Sequence, residues 1–180
     1  MDVAEIQAIE RLLTNDVLKE NLAKAGLYLV AWELLKDAII GQPKRFFTMA
    51  ESKPYDDYKA EVLSLDPKSE FIASCIWFQK NEVLTADEVK EIRQIRQHRT
   101  DIAHEMPNIL LNPLTQVDEA KLMRIHELVS KIDRWWITEI EMPCNEEFDG
   151  QKVDSTEIKS GRMRFLEHLI SAVYECGRVH

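Results

Sequence analysis

Glycine and proline are scarce, five and six among 180 residues. So few turn-formers exclude a turn-rich β sandwich and a flexible linker protein. Cysteine is scarcer still. Cys75, Cys144 and Cys176 are far apart and form no CxxC. A disulfide framework or zinc ribbon is therefore not expected, and a reducing cytoplasm is the expected compartment. Positive charge is in deficit: 23 Lys and Arg stand against 32 Asp and Glu, a formal net charge of -9. A globally basic nucleic-acid binder is thereby excluded, and any anion site has to be a local feature. No uncharged apolar run approaches the roughly 20 residues of a membrane span, so no membrane partner is expected. The opening residues, Met1 to Ile6, lack the basic and apolar regions of a signal peptide. The chain also lacks GxxxxGK[ST], GxGxxG, HExxH and GxSxG. No cofactor and no metal is expected.

What is present is helical periodicity. Asp2 to Leu13 carries apolar residues at Val3, Ile6, Ile9, Leu12 and Leu13, a helical spacing opened by the capping-box pair Asp2 and Glu5. Thr14 to Asp16 reads as a break. From Val17 to Ile40 a second helix becomes densely apolar, which predicts a central place in a bundle. Gly41, Gln42 and Pro43 are expected to end it. A short helix is expected around Tyr58 to Leu63, and Asp66-Pro67 is expected to open another as N-cap and first helical residue. Thr85 to Glu88 is the clearest capping box in the chain and predicts a helix over about 85–106. Pro107 and Pro113 bracket an expected break. One long helix is expected over about 115–142 and a last one over about 155–176, opened by Asp154 and Glu157. The whole chain, 1–180, reads as a single all-α antiparallel helical bundle with short connections.

Most chemistry-bearing residues have an ordinary structural reading. Cys75 lies in an apolar helix and reads as a small core residue. His126 and His168 read as boundary histidines. Trp135 and Trp136 read as core plus interface, not as a base-stacking platform.

Residues 90–104 differ. Lys90, Arg93, Arg96 and Arg99 stand there against Glu91 and Asp101, so positive charge is concentrated on one helix of an acidic protein. At about 100° per residue, Arg99 falls near the centre of the stripe formed by Val89, Ile92, Ile95, Ile102, Ala103 and Met106, and Arg96 falls on its edge. An arginine on an inward stripe needs a carboxylate partner or a cleft. His104 follows five residues later, which turns it about 140° away from Arg99 on an unbroken helix.

The string from Arg99 to His104, with its Ile-Ala-His ending late in a capped helix, resembles the R-x4-6-H signature of the HEPN superfamily (higher eukaryotes and prokaryotes nucleotide-binding domains). The resemblance implies a HEPN-like helical bundle that pairs as a homodimer, so that two motifs form one cleft. It also implies a metal-independent endoribonuclease of toxin–antitoxin, stress-response or phage-defence systems, with an antitoxin or other protein partner. Arg99 and His104 would be catalytic: His104 as acid or base in transesterification of RNA, Arg99 as stabiliser of charge growing on the phosphate. Asp101 would orient His104, and Arg96, Arg93 and His98 would hold RNA at the local basic patch. Thr100 stands where many active members carry Asn, Asp or His, and Met106 where one toxin subfamily carries Tyr. Two further readings stay open: a non-catalytic HEPN-like module that binds a nucleotide or protein partner in the same groove, and a plain bundle in which Arg99 sits in a buried ion pair.

Overall fold

The densely apolar stretch from Leu27 to Ile40 sits at the heart of the molecule. The structure, a computed structural model, describes residues 15–48, 54–111, 117–148 and 153–175. The expected helix over Asp2 to Leu13, Thr14, Pro113, Gly150 and Cys176 lie outside the described residues. Helix α1 (Asn15–Lys36) buries Ala25, Tyr28, Ala31, Trp32 and Leu35, the three-and-four spacing of one helical face. Removing such side chains from water contributes about 1.5–3 kcal/mol each for the larger ones. Around α1 pack α5 (Ala86–His104), α7 (Glu119–Trp136) and α8 (Gly161–Glu175). Helices α2 (Gln42–Thr48), α3 (Pro54–Glu61), α4 (Glu70–Lys80) and α6 (Met106–Leu111) complete the set. Every regular element among the described residues is helical, and no helix there is long and apolar enough to cross a membrane.

Helix α5 begins where its capping box predicts. The Thr85 hydroxyl accepts from the Glu88 N–H, and the Glu88 carboxylate accepts from the Thr85 N–H. Several other boundaries differ from expectation. Gly41 and Pro43 do not end the second helix. The turn Asp37–Gly41 is π-helical, with the Gln42 N–H reaching back to the Asp37 carbonyl. The wider turn carries the chain past Pro43, which has no N–H to give, directly into α2. Gly41 has its own reason: a Cβ there would meet the Asp37 carboxylate and the Arg45 guanidinium, which bond across it.

Asp66 and Asp154 do not cap helices. Each bends its side chain onto its own backbone two residues on, Asp66 accepting from Lys68 and Asp154 from Thr156. Such local turns compete with helix entry. The real caps come later: Ser69 accepts from the Ile72 N–H before α4, and Ser160 from the Met163 N–H before α8. The last helix thus spans 161–175. The long helix is regular only from Glu119, behind an Asp118 cap, to Trp136. Past that it widens into a π turn over Ile137–Glu141 and tightens into a 3₁₀ turn at Met142–Cys144. Pro107 does not hold a break; it sits in the first turn of α6, where its missing N–H is harmless.

One polar network crosses this core. Asp133 is 1% exposed and accepts from Gln42, Ser160 and Arg162. Arg162 also binds Asp37, which in turn holds Arg45. A buried carboxylate in the interior is tolerable because its lone pairs are answered. The network ties the π turn after α1 to α7 and α8.

Candidate functional site

Helix α5 is held on two sides before it presents anything to solvent. The Tyr28 hydroxyl donates to the Ile95 carbonyl at 3.3 Å within the core. From α7, Arg124 reaches Glu88 and Glu91, and Lys131 grips both oxygens of Glu88. His98 takes part in this fastening. Its Nε2 accepts the Asp118 backbone N–H at 3.0 Å, and its ring meets the Tyr28 ring edge-on at 4.9 Å. Burial, then Lys121, pushes the His98 pKa below its usual value, against Asp118 and Asp101. The ring is therefore kept neutral as a structural acceptor.

With those faces occupied, α5 turns Arg96, Arg99 and Thr100 toward α1 and α4. There they line a cleft of about 220 Å³ together with Trp32, Glu33, Lys36, Ile40 and Phe71. Three cations and one carboxylate share it. The Arg99 guanidinium is neither sealed in the core nor tightly paired. Its nearest carboxylate oxygen, on Glu33, stands 3.4 Å from Nη2, and the Arg99 side chain remains 36% exposed. Charge-assisted bonds of this kind are ordinarily about 2.7–2.9 Å. The Arg99 Nε is buried without a hydrogen-bond partner. Glu33 also accepts from Lys36 at 3.1 Å. The Arg96 guanidinium lies over the Phe71 ring, 5.1 Å from its centre, a cation–π contact that holds an otherwise mobile arginine beside the cleft. The Thr100 hydroxyl donates to the Arg96 carbonyl at 3.0 Å and stays on its own helix.

The remaining sequence-derived candidates fall elsewhere. His104 ends α5 and is exposed, outside the cleft lining. Because α5 is unbroken through Arg99 and His104, their side chains diverge by the expected angle of about 140°. Asp101 is taken by Gln97, whose amide donates to it at 2.8 Å. Arg93 is exposed and outside the lining, and His98 is committed to Asp118. Of the seven candidates, then, the cleft gathers Arg96, Arg99 and Thr100. Glu33 and Lys36 were not singled out from sequence. Their signal was that they, with Asp37, are the three charges interrupting the apolar run from Leu27 to Ile40. Phe71 gave no signal, since its ring looks like any core aromatic until Arg96 is seen on it.

Elsewhere the ordinary readings of Cys75 and the two histidines hold, and so does the core part of the tryptophan reading. Cys75 is fully buried, and burial pushes its thiol up to about 12 despite the pull of Arg93 and Arg96. His126 is half-buried, 3.7 Å from Glu167, and His168 is exposed. Trp135 and Trp136 pack with Trp77 in an aromatic cluster. Among the described residues, no group of three or more His, Cys, Asp or Glu is placed to hold a metal ion. No family model, curated protein or solved structure matches the chain.

Proposed function

We propose that this chain is a HEPN-like antiparallel helical module that binds RNA in the cleft between α1, α4 and α5, with Arg99 at the phosphate. The observation that carries the reading is the state of Arg99. A guanidinium that stays 36% exposed and makes only a loose carboxylate contact has Nη donors left for an oxyanion. Arg96, braced on Phe71, and Lys36 add charge on the same cleft. Local attraction of this kind works against the overall charge of -9, so binding is expected to weaken steeply with salt.

Within one chain the cleft offers Arg99 to a phosphate but brings no imidazole to it, which favours the non-catalytic module. The ribonuclease reading requires a second copy to supply His104, and it draws its support from His104 being exposed at the end of the same helix. In such a pair one histidine would take the 2′-hydroxyl proton, the other would protonate the leaving oxygen, and Arg99 would stabilise the charged phosphorane.

Fluorescence anisotropy with a single-stranded RNA in chelator, beside Arg99→Ala and His104→Ala, tests both. Binding is expected to fall about ten-fold in Arg99→Ala, the scale of one lost charge-assisted bond pair, and to survive His104→Ala. Unchanged binding by Arg99→Ala overturns the cleft assignment. Cleavage by the unaltered protein that disappears in both variants selects the paired nuclease; absence of cleavage in every form selects the binding module.

A further inference from the structure

The cleft contains one group that ought to repel an RNA phosphate. Glu33 lies among Lys36, Arg96 and Arg99, its side chain 51% exposed, with Oε1 at 3.4 Å from Arg99 and Oε2 at 3.1 Å from Lys36. When a phosphate oxygen takes the Arg99 donors, the carboxylate loses that contact and faces a like charge. A plain anion therefore meets resistance here. A ligand that brings a hydroxyl donor next to its phosphate does not, because the displaced carboxylate then accepts a hydrogen bond from it. In a nucleic acid that donor is the ribose 2′-hydroxyl, which neighbours the 3′-phosphate and is the group by which proteins tell RNA from DNA.

We propose that Glu33 is the specificity residue of this cleft: it accepts the 2′-hydroxyl of the nucleotide whose phosphate sits on Arg99, and so selects RNA over DNA. The proposal rests on the cleft being the RNA site. Its physical content is a penalty applied to every anion and relieved only for one with an adjacent O–H, the combination of repulsion and attraction from which specificity is built. The half-exposed side chain is free to turn from Arg99 to a ligand, since its present ion pairs are of the weak, solvated kind.

The experiment compares three 12-nucleotide single strands of one base, uridine: ribo, deoxy and 2′-O-methyl. The last keeps the 2′ oxygen but removes its proton. Affinities are measured for the unaltered protein, Glu33→Ala, Glu33→Gln and Arg99→Ala. The unaltered protein is expected to prefer the ribo strand about ten-fold over both others, the size of one hydrogen bond to a charged group. In Glu33→Ala the deoxy and methylated strands should bind more tightly while the ribo strand does not gain, bringing the ratio close to one. Glu33→Gln, which keeps an acceptor without the charge, should retain part of the preference. If Glu33→Ala tightens all three strands by the same factor, or if the unaltered protein shows no preference, Glu33 is only a competing anion and the proposal falls. If Arg99→Ala binds RNA like the unaltered protein, the cleft itself is wrong, a failure seen separately from the ratio.

Discussion

The backbone N–H of Asp118 donates to Nε2 of His98, so the nitrogen that would carry the second proton of an imidazolium is already an acceptor. The same N–H belongs to the cap residue of α7, which makes one neutral ring a fastening between α5 and α7.

Stability should consequently depend on pH through His98. The folded state lowers the pKa of this ring from 6.5, so the unfolded chain binds the proton more readily. Stability is at its full value above pH 6.5, falls as pH drops below it, and levels once the folded ring is itself protonated. The carboxylates of Asp37, Asp118 and Glu88, whose pKa values are lowered from 3.8, 3.8 and 4.5, add a second loss at lower pH. Urea midpoints between pH 7.5 and 5 should fall in the unaltered protein and stay nearly flat in His98→Gln, whose amide oxygen accepts without titrating. Equal slopes in the two proteins would contradict the assignment.

Asp133 and Arg162 form a buried pair at 2.6 Å. Asp133→Leu should cost roughly 3 kcal/mol, because it strips the interior donors of Gln42, Ser160 and one arm of Arg162 of their acceptor and leaves that guanidinium held by Asp37 alone. The double variant Asp133→Leu/Arg162→Met should lose less than Asp133→Leu alone, since the half-paired guanidinium is gone and Asp37 keeps Arg45. Urea denaturation of the three proteins gives both numbers; a double variant no better than the single would place the cost in packing instead.

Cys75 should resist alkylation. With its thiol pushed up to about 12 and no solvent access, the thiolate population near pH 8 is negligible. Exposed Cys144 should react within minutes under the same conditions. Mass mapping of the modified peptides after iodoacetamide treatment distinguishes them, and rapid labelling of Cys75 in the native protein would contradict its burial.

Phe71 should matter to ligand affinity through Arg96. Phe71→Leu keeps most of the apolar volume but removes the ring face under the guanidinium, worth about 0.5–1 kcal/mol at a partly exposed site. RNA affinity should drop about two- to five-fold, with little change in the salt slope because no phosphate-binding charge is removed. An unchanged affinity would mean that Arg96 does not need its brace.

Much of the helical content was legible in the residues themselves. The Thr85–Glu88 pair marked the start of α5 because both halves of a capping box lie within four residues, and the apolar run from Leu27 marked the central helix because almost none of its faces tolerates water. The errors share a physical cause. Asp66, Asp154 and Gly41-Gln42-Pro43 are all local signals whose outcome depends on a competitor: a side chain folding onto its own backbone in the first two, and in the third a π turn whose Asp37 is held by nearby Arg45 and by distant Arg162. Pattern reading ranks such signals by propensity, whereas the fold ranks them by which hydrogen bonds the rest of the molecule leaves open.

The sequence by itself determined an all-α fold with four cations spaced along residues 90–99, since periodicity, capping and charge are properties of short segments. Which of those cations face one another was decided only by tertiary structure. Arg99 meets Glu33 across 66 positions, Arg96 meets the ring of Phe71, and His98 is drawn away to Asp118, because the packing of α1 and α7 against α5 uses up two of its faces and leaves the third to form the cleft.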